Sequence, residues 1–294
     1  MRRTLSIFML VWLGCSSCSR STLSPPGFVK LDDMESDGGG LIEWTPPDGQ
    51  YPGTWFAATD CTEADRIAPP PFDVTPDGWS YAELPEAYQT FPGVLSAHAA
   101  RLRTVSPLSG VWGASMGFDL ANPSGPDGAK QPPELPDAGV PGIGPGCAPL
   151  TTSWFPATPI DLSDYSGLTF WAMAPSGARD LRVQINDVNV DPRGGICNAA
   201  NPDDESNCYN QFRTVVNLTE TMSRYTVDFS TMQQDPTWGY RPNPDVPDLQ
   251  HVYQIAFEVD EAHCGLDPNA MCAGGTTPPL SLDIWVDDLY LVNE

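Results

Sequence analysis

Asp287 and Asp288 stand where the clearest pattern in the chain breaks. Leu280, Leu282, Ile284 and Val286 alternate with Ser281, Asp283, Trp285 and Asp287, and then Leu289 and Leu291 carry the apolar positions on odd numbers. Period-two alternation is a strand with one apolar face, and a one-residue phase slip is how a β-bulge reads in sequence. An acidic pair at such a kink has two chemical readings. It is a solvated charge pair guarding an edge strand, or a carboxylate set aimed at a structural cation. A second acidic run, Asp32-Asp33-Met34-Glu35, closes the first strand-like segment, Phe28 to Glu35.

Other groups with chemical potential are less specific. Asp187-Val-Asn-Val-Asp191 with Gly194 has the acid spacing of an EF-hand loop, but Pro192 takes the sixth position and no closing Glu follows. It reads as a turn. His98, His251 and His263 lie near no nucleophile motif, and the chain has neither Gly-x-Ser-x-Gly nor His-Glu-x-x-His. A glycosidase needs only two carboxylates. With 38 acidic residues in the chain, no chosen pair is informative.

Acidic residues outnumber the 14 basic ones, giving a net charge of −24. A polyanion is repelled by such a surface, so nucleic acid is excluded as a ligand class, while neutral ligands and divalent cations remain. A hydrophobic fraction of 40% with 10% aromatics supports a core rather than global disorder. The 32 prolines and 26 glycines favour turns and long loops over helices.

The amino terminus is a targeting segment. Arg2-Arg3 precedes an apolar run, Leu5 to Leu13, that is too short to span a bilayer. Trp12-Leu13-Gly14-Cys15 resembles a bacterial lipobox, which makes residues 1–14 a lipoprotein signal peptide and Cys15 the lipidated residue. Cys18 has a poorer preceding tripeptide, and an ordinary secretory signal is the other reading. The expected location is the bacterial cell envelope, at the outer membrane by a lipid anchor, or the secreted fraction. Residues 15–27 read as a tether.

Cys61, Cys147, Cys197, Cys208, Cys264 and Cys272 remain, an even number in an exported chain, and are expected as disulfides. The close spacings favour Cys197 with Cys208 and Cys264 with Cys272, leaving Cys61 for Cys147. Zinc is the alternative, since His263 precedes Cys264, but no Cys-x-x-Cys pair is present.

Alternation recurs at Gly53–Asp60, Ala97–Val105, Val111–Leu120, Leu168–Ala174, Leu181–Asn186, Phe212–Leu218, Tyr225–Phe229 and Ile255–Val259. Pro69 to Pro85 reads as a turn-rich connection, and residues 121–149 as a Pro-rich insertion without periodicity. No useful stretch has a 3.6-residue period. Strands separated by long loops predict an all-β chain, an antiparallel β-sandwich or jelly roll, as a single domain over 28–294.

Asp32-Asp-Met-Glu35, Tyr165-Ser-Gly-Leu-Thr-Phe-Trp171 and Ile284-Trp-Val-Asp-Asp288 occur in this order. In that order they resemble the galactose-binding-like β-sandwiches of secreted carbohydrate-binding modules, the family 11 type included. Gly194-Gly-Ile-Cys197, Asn207-Cys-Tyr-Asn-Gln-Phe212, Tyr225-Thr-Val-Asp-Phe229 and Gln234-Asp-Pro-Thr-Trp-Gly239 are similar to stretches in secreted and lipoprotein chains of myxobacteria-like bacteria. The resemblance covers nearly all of the chain after Leu31; the long Pro-rich insertion departs from it.

The resemblance implies a jelly roll with a structural calcium ion tying the first strand to the last. Glu35 and Asp287 are the first side-chain ligands it implies, with Asp33 and Asp288 next. It also implies a glycan ligand. Sugar faces use planar aromatics and hydrogen-bonding amides, carboxylates or arginine. Trp171, Arg182, Gln184, Asn186, Gln254 and Glu258 are expected on the strand faces opposite the core, rimmed by Tyr209 and Trp238 in loops. The expected activity is non-catalytic polysaccharide binding. A jelly-roll glycan hydrolase and a structural or adhesion sandwich are the alternatives, and neither oligomeric state nor sugar identity is specified.

Overall fold

The computed structural model describes residues 26–35, 41–47, 50–59, 72–75, 78–90, 95–103, 114–122, 158–175, 179–198, 206–259 and 283–293. For 57–59, 72–75, 78–81 and 114 only the backbone is described. Cys15, Cys18, Cys61, Cys147, His263, Cys264, Cys272, the signal peptide and nearly all of the insertion lie outside these residues.

In chain order the strands are β1 (Phe28–Asp32), β2 (Tyr51–Pro52), β3 (Trp55–Thr59), β4 (Phe72–Thr75), β5 (Gly78–Gln89), β6 (Leu95–Arg103), β7 (Ala114–Asp119), β8 (Ala121–Asn122), β9 (Gly167–Met173), β10 (Arg179–Asp187), β11 (Phe212–Leu218), β12 (Ser223–Asp228), β13 (Val252–Val259) and β14 (Asp283–Val292). They form the expected antiparallel jelly-roll β-sandwich. One sheet runs β12-β9-β14-β6-β5-β4 with β1 also on β14, the other runs β11-β10-β13-β7-β3, and β2 pairs with β8.

Alternation decides what each strand buries. Leu181, Val183 and Ile185 on β10, Ile255, Phe257 and Val259 on β13, and Leu168, Phe170 and Ala172 on β9 all enter one core. Phe170 meets Phe257 edge-on across the two sheets, ring centroids 5.2 Å apart. Every one of these residues is at most 3% exposed.

Two expectations need correction. Residues within Pro69–Pro85 form a hairpin, β4 with β5, where a turn-rich connection was expected. Thr75-Pro-Asp-Gly78 is its turn signal, and Pro85 lies where the β5–β6 register shifts, the place a strand tolerates proline. The second correction concerns β14. It is central, between β9 on one side and β6 and then β1 on the other, so Asp287 and Asp288 guard no edge.

Candidate functional site

β6 and β1 lie end to end along β14. Residues 283–286 pair with β6, and residues 289–292 pair with β1. The phase slip seen in sequence is this change of partner: Ile284, Val286, Leu289 and Leu291 all reach the core, and the β9 register shifts between Asp287 and Tyr290. Asp288 takes a φ of +48°, which side chains other than Gly adopt rarely, with Asp and Asn the commonest exceptions. Asp287 is fully buried and Asp288 is 1% exposed.

The four acids expected as cation ligands converge here, in unequal states. Asp287 is spent on protein donors. Its Oδ2 accepts from the Tyr88 hydroxyl at 2.6 Å and the Ser96 hydroxyl at 2.5 Å, and its Oδ1 from the Asp288 amide at 2.7 Å. Glu35 Oε1 accepts from the amides of Ala97 and His98 at 2.6 and 2.9 Å. It also lies 3.1 Å from the Ser96 hydroxyl, which therefore stands between the two carboxylates. Asp33 accepts from Lys30 at 2.8 Å and from the Glu35 amide at 3.2 Å. Asp288 differs: its Oδ2 is buried without a hydrogen-bond partner, its Oδ1 receives a long 3.4 Å bond from Tyr290, and the Thr90 side chain is close enough to favour its charged form.

Burial pushes the Asp288 carboxyl up to about 7, reinforced by the charges of Asp33 and Glu35. Burial and then Asp288 likewise hold Asp287 well above the usual carboxylate range. The phenols of Tyr88 and Tyr290 are raised by burial and by the same carboxylates, so both remain donors. Hard oxygens around the buried Asp288 carboxylate fit a cation such as calcium, which would supply positive charge beyond that of Lys30 on Asp33.

A neighbouring trio that the sequence reading missed, Asp32, Asp33 and Glu43, brings carboxylate oxygens within 4.8 Å of one another. Here the counterion is a side chain. Lys30 Nζ lies 2.8 Å from Asp33 and 2.5 Å from Glu43. Asp32 accepts from the Met34 amide and from Trp55 Nε1 at 3.0 and 2.8 Å. The Asp187–Asp191 stretch is a turn, as read. Asp187 accepts from the amides of Asn189, Val190 and Asp248, and Asp191 caps the short 3-10 turn Pro192–Gly194.

The second grouping lies on the outer face of the five-stranded sheet. Residues that alternate with the core-facing ones form three rows across it. Val215, Arg182, Glu258, Ser115 and Ala58 occupy one row in the register. Arg213, Gln184, Ala256, Gly117 and Phe56 occupy the next, and Asn186, Gln254 and Asp119 the third. Gly117 and Ala256 make a low floor between two polar rows. A Cβ at Gly117 would meet the Ile255 carbonyl oxygen at 2.7 Å, so the close approach of β7 and β13 demands glycine.

The charges on this face are paired. Arg182 bonds Glu258 at 3.2 Å, Arg213 bonds Asp235 at 3.2 Å, and Arg193 bridges Asp119 at 2.9 Å and Asp191 at 2.7 Å. Burial lowers the Arg213 guanidinium, and the charge of Arg182 lowers it further. Asn186 donates to Gln254 at 2.6 Å, yet Asn186 Oδ1 and Gln184 Nε2 are buried without partners.

The structure thus brings Arg182, Gln184, Asn186, Gln254 and Glu258 together and leaves Trp171 out. Trp171 is on β9 in the other sheet, with its ring 5.5 Å from Tyr88 and its backbone paired with Asp287. Alternation gives the side of a strand on which a residue lies, but it does not say which sheet the strand joins. Trp238 is 40% exposed in the loop that also carries Asp235, so this loop borders the face at β11. Tyr209, at φ +73°, donates its amide to the Val190 carbonyl just ahead of β11 and lies in the field of the Asp191–Arg193 pair.

Asn210 and Gln234, which sequence reading passed over, hold the Trp238 loop. Asn210 Nδ2 donates to the carbonyls of Asp235 and Trp238, and Gln234 Nε2 donates to those of Asn210 and Tyr240. The expected Cys197–Cys208 disulfide forms, next to Tyr209.

No family model matches the chain, and no curated protein does. Solved structures do. The family 11 carbohydrate-binding module from Clostridium thermocellum, in complex with a β-1,3-1,4-mixed-linked tetrasaccharide, is 12% identical at a TM-score of 0.44, covering 92% of this chain and 98% of that one. A family 30 carbohydrate-binding module is 12% identical at a TM-score of 0.40, covering 81% of this chain and 82% of that one. An exo-β-agarase is 12% identical at 0.39, with 90% of this chain aligned to 25% of that one. The solved structures similar to this sandwich include carbohydrate-binding modules of families 11 and 30, and an exo-β-agarase of which it spans a quarter.

Proposed function

We propose that this chain binds a neutral polysaccharide without cleaving it, on the outer face of the five-stranded sheet. The observation that carries the reading is the composition of that face: arginine–carboxylate pairs and amides in two rows flank a small-residue floor. An elongated, uncharged, hydroxyl-rich chain suits such a trough, because hydroxyls donate and accept while no unpaired arginine recruits an acidic sugar. We further propose that calcium occupies the Asp287–Asp288 cluster and that Cys15 anchors the chain by lipid at the cell envelope.

Calorimetric titration against soluble neutral polysaccharides, with reducing-sugar release followed in parallel, tests the reading. Binding without sugar release is expected, and Arg182→Met should weaken it, because it removes a guanidinium donor and its ion pair with Glu258 from the face. Sugar release would favour the hydrolase instead. Absence of binding to every glycan tried would leave an adhesion sandwich.

A further inference from the structure

We infer that Gln184 and Asn186 form a donor–acceptor pair that reads hydroxyl groups on one uncharged sugar chain, so that hydrogen-bond geometry rather than aromatic stacking sets which polysaccharide the face takes. This rests on the glycan-binding reading above and names the residues that give it specificity.

The two residues are neighbours on the same face of β10, about 7 Å apart along the strand. Gln184 is 3% exposed and its Nε2 has no acceptor. Asn186 is 9% exposed and its Oδ1 has no donor. Most buried side-chain polar atoms find a partner, so an unmet donor beside an unmet acceptor calls for an explanation.

The direction of the Asn186 amide is fixed from outside. Burial raises the Asp119 carboxyl, and Arg193 at 2.9 Å opposes that rise and favours the carboxylate, which only accepts. Gln254 donates to Asp119, which turns its own Oε1 toward Asn186. Asn186 Nδ2 fills that oxygen at 2.6 Å, and Oδ1 is left over. Arg193, Asp119 and Gln254 are thus positioning residues for one acceptor.

An anion would satisfy Gln184 Nε2 but would be repelled by the Asn186 oxygen, and an ammonium would do the reverse. A hydroxyl donates to one and accepts from the other, so adjacent hydroxyls on a sugar meet both demands. The atoms are closed to water in the free protein. Binding therefore requires a neighbouring side chain to move, and Arg213, paired with Asp235 and beside Gln184 in the register, is the long one next to it. Stacking contributes less here, because Trp171 faces away and Phe56 is the one aromatic side chain in the three rows.

The test compares Gln184→Met and Asn186→Leu with wild type, by calorimetric titration and thermal melting. The probes are mixed-linked β-glucan, galactomannan and agarose oligosaccharides, with polygalacturonate as the acidic arm. Each variant should bind the wild-type ligand about three- to tenfold more weakly, the worth of one neutral hydrogen bond. Gln184→Met should not melt lower, since it removes an unmet donor, whereas Asn186→Leu also removes the bond to Gln254 and should melt lower; weaker binding by Gln184→Met at an unchanged melting temperature is therefore what separates a ligand role from a structural one. Where a variant fails to fold, oligosaccharides lacking single hydroxyls, titrated against wild type, must show the same loss at one hydroxyl or more. Unchanged affinity in both variants overturns the inference while glycan binding stands. Tightest binding to polygalacturonate overturns it too. Wild type that binds none of the probes removes the glycan reading, and the inference with it.

Discussion

Two aspartates adjacent in sequence divide the labour at the kink of β14. Every oxygen of Asp287 already has a protein donor, whereas Asp288 Oδ2 has none. Family resemblance ranks Asp287 first as a cation ligand, but the hydrogen bonds rank Asp288 first. Asp288→Asn is therefore expected to abolish any calcium-dependent rise in melting temperature. In chelator the same variant should melt about 2–4 °C above wild type, because one of several buried like charges is gone. Scanning calorimetry with and without calcium decides it. A full calcium response in Asp288→Asn would return the ligand role to Asp287 and Glu35. Trp171 gives the complementary case. It packs on Tyr88 beside the clasp, so Trp171→Ala should cost about 1–2 kcal/mol of stability and leave glycan affinity unchanged. Denaturant unfolding and the same titration measure the two separately.

At the scale of elements, the strand that swaps partners is what builds the clasp. β14 leaves β6 and takes up β1 within three residues, and the amides freed at the start of β6 are met by Glu35 from the end of β1. On the other sheet, the close pairing of β7 with β13 builds the floor of the face. Gly117→Ala should force those strands apart, at a cost of about 1–3 kcal/mol, and should raise the floor enough to weaken polysaccharide binding. An unchanged melting temperature would show that the strands have room to spare. The Cys197–Cys208 disulfide acts locally: it closes a loop of separation 11 beside Tyr209. Reduction should lower stability by about 2–3 kcal/mol on a chain-entropy account, read by melting with and without reductant.

For the whole molecule, charge sets the terms. A chain at −24 that gathers Asp33, Glu35, Asp287 and Asp288 at one junction raises its own free energy unless a cation or protons intervene. If calcium fills the site, chelation should lower the melting temperature by about 5–10 °C, as expected for an ion present at about a hundred times its dissociation constant. Superimposed melting curves, with elemental analysis showing no tightly held ion, would count against the clasp. The outcome bears on the whole sandwich, because β1 and β14 join the two ends of the described chain, down to the 2.9 Å bond from the Asn293 amide to the Gly27 carbonyl.

Much of this was legible in the residues themselves. Period-two runs such as Leu181–Asn186 and Ile255–Val259 specify strands and their core faces, since a strand has only two sides. The slip at Asp287-Asp288 specifies a kink, since one extra residue reverses the faces. The close cysteines 197 and 208 specify a short loop that a disulfide can span. Other features depended on which strands meet. Nothing local to Trp171 and Arg182 says that β9 and β10, consecutive in the chain, enter opposite sheets. The role of Lys30 as counterion to Asp33 and Glu43, and the orphaned oxygen of Asp288 beside the satisfied Asp287, arise from contacts between distant segments. Sequence fixes the side on which a residue lies, because that is set by the backbone of one strand; which residues share that side is set by hydrogen bonds between strands far apart in the chain.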